Sequence, residues 1–361
     1  MNAVEKIINE RNIPDVLLTK RGKKIKTAKE FDKHRQEIKT LLEEHIYGVM
    51  PKKPDHLMYE LESEDRVFLA GKAPLQVFKF TVTVGDEKFS FPVKAVIPKS
   101  DKKLPAFIHI NFRPDVPDKY MPSEELADEG FAVFSFCYKD VTTDDKNFKN
   151  GVAKLLSPKR RTQNSPGKIA MWAWAAMRVM DYVETLDTID KNRIAVVGHS
   201  RLGKTALLTA AFDERFSLAI SNDSGCSGAA ITRGKCGEHI SDITEVKGEW
   251  FCKRYEKYAP DESKLPLDQH YLLSLIAPRH LIIGSAIEDT WSDPTSEFLS
   301  AYLVSPVYEL YGYEGLIHNG EIPKPKTVLD EGRVCYQIRN GLHYFSREDW
   351  HVYMDYFKKK L

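Results

Sequence analysis

Short, almost purely apolar runs alternate with helical patterns along most of this chain, and this alternation limits the folds open to it more than any other feature. The apolar runs span residues 106–110, 132–136, 194–197 and 281–283. Runs this short and this apolar are typical of strands buried on both faces of a parallel sheet. The helical patterns span 124–129, 169–186, 202–212 and a last stretch near 347–360. Strands alternating with helices predict an α/β fold with right-handed crossovers.

The first hundred residues have a different pattern. Residues 1–55 are basic, and apolar residues recur at helical spacing from 30 to 46, where Tyr47 and Gly48 end the pattern. Alternating residues over 58–62, 76–84 and 89–97 then predict strands, the last two joined as an antiparallel hairpin through Gly85 and Asp86. We therefore expect a single domain over 1–361, with a helical segment at 1–55 and an insertion at 224–270 near the functional site. Its central sheet should be mostly parallel, with antiparallel N-terminal strands and helices on both faces.

Charge and cysteine content exclude several classes of protein. Lys and Arg number 53 against 52 Asp and Glu, and this near balance argues against a protein that coats nucleic acid. Charged residues interrupt every apolar run before the roughly 18 residues that a membrane span needs. The five cysteines form no Cys-x-x-Cys pair, so we expect buried free thiols, no metal site and no disulfide framework. The first residues lack the apolar core of a signal peptide, which leaves the cellular compartment unassigned.

Residues 192–207 carry the most specific chemical signal. A buried strand ends in Gly198-His199-Ser200 and continues directly into a helix rich in small residues. This context is typical of a nucleophile elbow, in which a serine stands above the sheet and the amide of the next residue, Arg201, faces the oxyanion. The usual glycine two residues after the serine is replaced by Leu202 here.

A serine nucleophile needs a base, and in this topology the acid and the histidine follow the serine along the chain. His343 follows the last predicted strand and precedes the last helix, so we expect it to be the base. His318, in a turn between Ile317 and Asn319, is the alternative.

Two aspartates are candidates for the acid that orients this histidine. Asp289 follows the strand near 281–286, and Asp223 follows the strand directly after the elbow helix. Both positions lie at the carboxyl edge of the predicted sheet, and the sequence does not choose between them. Asp293 precedes Pro294, which favours a capping role for its side chain.

Three further residues have side chains suited to an ester site. The Arg201 guanidinium would place a fixed positive charge near the tetrahedral oxyanion. The Trp291 indole, between Asp289 and Asp293, could stack on the C–H face of a sugar. Arg113 follows a predicted strand at a position where an amide of the oxyanion loop usually arises, and its role is left open.

These motifs together resemble the glucuronoyl esterase family of carbohydrate esterases. The elbow Gly198-His199-Ser200-Arg201-Leu202-Gly203-Lys204 is similar to the family's Gly-Cys-Ser-Arg-x-Gly-Lys. Bacterial-type members also look similar at further segments, namely 172–178, 222–226, 275–279, 288–294 and, near the N-terminus, 35–51. The resemblance thus extends over nearly the whole chain and implies an α/β-hydrolase fold. His199 replaces the cysteine that fungal members use in a disulfide.

The resemblance also implies roles for individual residues. Ser200 would be the nucleophile, His343 the base and Arg201 an oxyanion stabiliser. Lys204 would contact the uronate hydroxyls, and Trp291 would lie against the sugar. The acid would be Asp223 by the commoner family position, or Asp289 by the position that some members use.

From these observations we predict a serine esterase that works through an acyl-enzyme and needs no cofactor. The expected substrate is the ester of (4-O-methyl-)glucuronic acid in xylan with a lignin alcohol, as a small molecule or an oligosaccharide. We expect a monomer with no nucleic-acid or membrane partner. Two alternatives stay open: an acetyl xylan esterase or other sugar deacetylase, and a catalytically silent binding protein on the same fold.

Overall fold

A computed structural model describes residues 2–361, and its centre is one sheet of ten strands. In chain order the strands are β1 (His56–Asp65), β2 (Leu75–Val84), β3 (Glu87–Val96), β4 (Leu104–Asn111), β5 (Ala132–Cys137), β6 (Ile189–His199), β7 (Leu218–Asn222), β8 (His280–Ala286), β9 (Thr327–Leu329) and β10 (Val334–Arg339). Across the sheet they lie in the order β1-β2-β3-β5-β4-β6-β7-β8-β10-β9.

The pairing of these strands divides the sheet into two parts. β1, β2, β3 and β5 pair antiparallel, in that order. From β5 across to β10 every pair is parallel. The mostly parallel sheet with antiparallel N-terminal strands is therefore confirmed. The three-residue β9, which closes the far edge antiparallel to β10, was not predicted because so short a strand has no readable alternation.

Helices connect and cover these strands. The α-helices are α1 (Ala3–Arg11), α2 (Ala28–Leu42), α3 (Ser123–Asp128), α4 (Tyr138–Val141), α5 (Gly151–Leu156), α6 (Lys168–Val183), α7 (Arg201–Phe212), α8 (Ile240–Lys247), α9 (His270–Ser274), α10 (Pro294–Leu303), α11 (Ser305–Leu310) and α12 (Arg347–Lys360). Short 3₁₀ turns span Phe68–Gly71, Gly248–Trp250, Lys253–Tyr258 and Glu262–Lys264. Asp293 caps α10 by accepting from the Ser296 amide, in agreement with its predicted role.

Successive residues of the central strands point into two separate cores. Ile108 of β4 and Val196 of β6 belong to the core shared with α6 and α7. Their neighbours Phe107 and Val197 belong to the core on the opposite face, shared with α3 and α12. Because side chains alternate along a strand, both faces of this sheet are buried. This explains the uninterrupted apolar runs and confirms that helices cover both faces, as in the α/β-hydrolase fold.

The N-terminal helical pattern ends at Tyr47 and Gly48 as predicted, but its last turn is not α-helical. Helix α2 stops at Leu42 and continues as one π-helical turn, Glu43–Tyr47, which keeps Ile46 buried. Gly48 follows with a φ of +84°, and a Cβ there would lie 2.4 Å from the Ser165 carbonyl oxygen. The π turn is invisible in the sequence because it preserves a near-helical spacing of apolar residues.

The cysteines required one correction. All five are free thiols in the described chain, and four are buried, but Cys236 is exposed. Cys236 directly follows Lys235 in the loop after β7, so the burial expected for it was wrong. Within residues 2–361 there is no helix whose length and apolar content would let it cross a membrane.

Candidate active site

The strand-to-helix turn at Ser200 has the backbone of a strained elbow. Strand β6 ends at His199, helix α7 begins at Arg201, and Ser200 between them has φ 58° and ψ −129°. A Cβ on Gly198 would lie 2.2 Å from the Leu202 carbonyl oxygen, so only glycine fits there. A Cβ on Gly203 would approach the Ser221 hydroxyl of β7 to 3.0 Å. The close approach of helix to strand thus falls at 203, which explains why position 202 accommodates a buried leucine.

His343 lies in the loop between β10 and α12, with its side chain 42 % exposed. Its Nδ1 is 2.6 Å from Oδ2 of Asp289. Its ring centroid is 4.5 Å from that of His199, the residue next to Ser200. The serine, the histidine and the aspartate follow parallel strands β6, β10 and β8, whose carboxyl ends share one edge of the sheet. The structure therefore brings Ser200, His343 and Asp289 to the same edge.

Asp289 is buried and hydrogen-bonded as a carboxylate. Burial by itself would raise its pKa, but hydrogen bonds and charge from His343, with a 2.6 Å hydrogen bond from the Ser292 hydroxyl, outweigh burial and lower the pKa. A carboxylate can only accept, so Nδ1 of His343 carries the hydrogen in this pair. The neutral ring then has its lone pair on Nε2 and can accept a proton there.

Asp223 lies nearby at the end of β7 but in a different environment. Its side chain is fully buried, and its Oδ2 accepts from Nη2 of Arg339 at 3.1 Å. Oδ1 has no hydrogen-bond partner among the described residues. Burial and the neighbouring Glu297 raise the pKa of Asp223 well above its ordinary value, against the opposing charge of Arg339. The two sequence candidates for the acid thus differ: Asp289 contacts the histidine and Asp223 contacts an arginine.

One group of side chains in the described chain has donor atoms close enough to hold a cation. Atoms of Asp223, Asp289 and His343 all lie within 4.8 Å of one another. The Arg339 guanidinium already provides a positive charge at Asp223, and the His343 ring occupies Oδ2 of Asp289. The geometry is therefore that of a hydrogen-bonded acid and base.

Arg339, the last residue of β10, was missed by the sequence analysis. It pairs with the buried Asp349 of α12 at 2.9 Å. It also donates to three carbonyl oxygens of the loop that carries His343, those of Asn340, Leu342 and Tyr344. A guanidinium with five donors can brace a loop in this way. The only available signal was an arginine in an otherwise buried strand, which is rare without an acidic partner.

His199 forms a buried polar pair beside the serine. Its Nδ1 lies 2.7 Å from Oδ1 of Asn222, and its ring stacks on Phe345 at an interplanar angle of 19°. Burial, together with the charge of His343, holds the pKa of His199 well below its ordinary value. His199 is therefore neutral, and it packs the elbow against the His343 loop.

Arg201 projects from the first turn of α7 and is held from two sides. Its guanidinium lies 4.5 Å from the Trp250 ring centroid and forms an ion pair with Asp144. Its Nε is buried and has no hydrogen-bond partner in residues 2–361. Trp250 belongs to the predicted insertion 224–270, which thus reaches the elbow.

Lys204 and Trp291 differ in exposure. Lys204 is buried and donates from Nζ to the Ser224 carbonyl, and burial lowers its pKa. Trp291, two residues beyond Asp289, has 56 % of its surface exposed. The indole is thus available for contact with a ligand.

Glu297 of α10 supports the loop behind Lys204. It is fully buried, accepts from the Ser285 hydroxyl at 2.6 Å and from the Gly225 amide at 2.9 Å. Burial is the main cause that raises its pKa to about 7, although these hydrogen bonds oppose the shift. Glu297 was not recognised from the sequence because an acidic residue in a helix is usually exposed.

Two other sequence candidates lie in different surroundings. His318 packs against the rings of Phe298 and Tyr302, and its Nδ1 accepts from the Gly320 amide. Arg113 forms an ion pair with Asp118 and lies 4.5 Å from the Tyr120 ring centroid. These contacts leave His343 as the histidine that the structure pairs with an acid at the elbow.

Comparisons with known proteins identify the family to which this chain is similar. A family profile described as "Glucuronyl esterase, fungi" matches residues 80–312. The carbohydrate esterase MZ0003, from an unknown prokaryotic organism, is 32% identical over 98% of this chain and 91% of its own length. A 4-O-methyl-glucuronoyl methylesterase of Neurospora crassa is 28% identical over 83% of this chain and 73% of its own length. The solved glucuronoyl esterase of Solibacter usitatus has a TM-score of 0.88 and 31% identity, covering 96% of this chain and 97% of that one.

Proposed function

This chain belongs to the glucuronoyl esterase family of carbohydrate esterases, and from that premise we propose that Ser200, His343 and Asp289 form its catalytic triad. The enzyme is a carboxylic ester hydrolase that acts on carbohydrate esters. The observation that carries the proposal is the 2.6 Å hydrogen bond between His343 and Asp289 at the sheet edge where Ser200 forms its strained elbow.

The reaction proceeds through an acyl-enzyme. Nε2 of His343 takes the proton of the Ser200 hydroxyl as the oxygen attacks the ester carbonyl. Asp289 keeps the proton on Nδ1 and stabilises the imidazolium that forms. The protonated His343 then donates to the departing alcohol, and a water molecule repeats the sequence to release the acid.

The negative charge of the tetrahedral intermediate develops next to Arg201. Helix α7 begins at Arg201, so the positive end of its dipole lies at the nucleophile. The Arg201 guanidinium, on a side chain that is 26 % exposed, provides a further donor. Removing one oxyanion donor costs about 10²- to 10³-fold in kcat, so Arg201→Ala should lose activity on that scale.

The acid half of the preferred substrate is a (4-O-methyl-)glucuronic acid unit of xylan, and the alcohol half is a lignin alcohol. The exposed Trp291 indole supports contact with the sugar. Lys204 is buried and its Nζ already donates to the Ser224 carbonyl, so a bond to the uronate hydroxyls would have to use its two remaining N–H donors. Asp223 acts through Arg339 and the loop of His343 instead of contacting the histidine as the acid. We further propose that the chain works as a monomer and as a single domain.

Two measurements test this function. Ser200→Ala should abolish hydrolysis of benzyl glucuronate and leave Tm nearly unchanged, and retained turnover would remove Ser200 from the mechanism. A rate panel should favour glucuronate esters over acetylated xylo-oligosaccharides. The reverse preference would identify a deacetylase, and failure of Ser200 to react with a fluorophosphonate probe would indicate a silent binding protein.

A further inference from the structure

Asp144 lies in the loop after α4 and has no place in the triad, yet its side chain is 7 % exposed and surrounded by donors. Its carboxylate accepts from the Trp250 indole N–H at 2.7 Å and from the Tyr138 hydroxyl at 3.1 Å. Arg201 and Lys247 both form ion pairs with it. Burial opposes its ionisation, but the hydrogen bond from Trp250 and the charges of Arg201 and Lys247 lower its pKa.

These contacts fix the Arg201 guanidinium in three directions. Asp144 holds Nη1 at one edge. The Trp250 ring lies 4.5 Å away, and the Phe112 ring 5.6 Å away, from the guanidinium carbon. Nε is buried, and the guanidinium has five N–H donors on a side chain that is 26 % exposed, of which the structure shows, among the described residues, only Nη1 bonded to Asp144. Asp144 thus anchors one nitrogen of the guanidinium, and other N–H groups of the same side chain are left to donate to a ligand.

An unanchored arginine would be a poor oxyanion donor. The side chain has about 2 kcal/mol of rotamer entropy, part of which would be lost each time it moved to the reacting oxygen. Donors that stabilise a transition state are effective when they are fixed before the reaction. Lys247 lies 3.4 Å from the Asp144 carboxylate and 3.6 Å from that of Glu249, so these two acids and the two bases Arg201 and Lys247 carry no net charge together. The contribution of Asp144 is therefore to fix the position of the guanidinium.

We propose that Asp144 is a positioning residue that acts on the transition state through Arg201, with Trp250 of the 224–270 segment completing the anchor. This inference rests on the proposed esterase function. It assigns to the loop after α4 and to the insertion a shared role in aligning one guanidinium.

The test is a double-mutant cycle on benzyl glucuronate hydrolysis with Asp144→Asn and Arg201→Ala. Asp144→Asn keeps the shape of the side chain but removes its charge, and we expect kcat to fall about 10- to 100-fold because the donor is misplaced. KM should change little, because the guanidinium matters most when the oxyanion forms. In the Arg201→Ala background, Asp144→Asn should cause no further loss.

Two additional variants separate positioning from stability. Asp268→Asn removes a fully buried acid from its pair with Arg233, and we expect a lower Tm with unchanged kcat. Trp250→Phe removes the indole hydrogen bond to Asp144 but keeps an aromatic ring against Arg201. It should lower kcat in the natural background and cause no further loss when combined with Arg201→Ala. If Asp144→Asn does not fold, the same kcat comparison is made with Trp250→Phe in its place.

An equal loss of kcat in both Arg201 backgrounds, or an unchanged kcat for Asp144→Asn, overturns the proposal. Neither result bears on the esterase function, which fails instead if Ser200→Ala retains turnover. The two failures are therefore distinguishable in one set of variants.

Discussion

Glu297→Gln should change how the stability of this enzyme depends on pH. The carboxyl has an ordinary pKa of 4.5, and burial raises it to about 7 in the folded protein. The folded state therefore binds the proton more tightly than the unfolded state does. Its contribution to the free energy of unfolding is fully present below pH 4.5 and is lost as pH rises toward 7.

The size of the loss follows from the two pKa values. A difference from 4.5 to about 7, at about 1.4 kcal/mol per pH unit, corresponds to about 3 kcal/mol. Between pH 5 and pH 8 about 2 to 3 kcal/mol of this change should be observed, since the unfolded chain is already partly ionised at pH 5. Glutamine cannot ionise, so the variant should gain stability relative to the natural chain by this amount over the same interval.

The assay is urea unfolding of both proteins at pH 5 and pH 8, reported as the difference between their free energies of unfolding at each pH. Comparing the two proteins cancels the contribution of the other titrating groups. Glu60→Gln, on the exposed strand β1, controls for the loss of one negative charge. A difference between the Glu297→Gln and natural proteins that does not vary with pH would refute the reasoning.

Two further predictions concern the triad and the elbow. Asp289→Asn should lower kcat about 10⁴-fold because it stabilises the wrong tautomer of His343, whereas Asp223→Asn should lose much less activity. Steady-state kinetics of both variants on benzyl glucuronate measure the two losses. A larger loss for Asp223→Asn than for Asp289→Asn would contradict the assignment of Asp289 as the acid. Gly198→Ala should reduce the yield of soluble protein sharply, because the new Cβ would lie 2.2 Å from the Leu202 carbonyl. Normal expression and Tm for that variant would show that the elbow can relax.

The sequence predicted those parts of the molecule that follow from local pattern. Apolar runs identified the parallel strands because both faces of the sheet are buried. Gly198-His199-Ser200 identified the elbow because a strand that turns sharply into a helix leaves no room for a Cβ at position 198. His343 was identified by its place between the last strand and the last helix. All of these depend on neighbours in sequence or on chain order.

What the sequence could not predict depends on side chains that meet across long separations. Asp223 and Asp289 occupy equivalent places after neighbouring strands, and only the contact with His343 distinguishes them. Asp144 is 57 residues from Arg201, and no periodicity connects the two. Cys236 was misjudged for a related reason, since its exposure depends on how a long loop packs.

Strand β10 leads into the loop that carries the base and lies next to the edge of the sheet, where the three residues of β9 pair with its outer side. The nucleophile, by contrast, follows β6 in the middle of the sheet. Heat or denaturant that unfolds β9 and β10 before the central strands would thus displace His343, the proton acceptor, while Ser200 stayed in place. Activity would then disappear at a lower temperature than the bulk of the secondary structure, and the buried ion pair of Arg339 with Asp349 opposes that loss because it ties the end of β10 to α12.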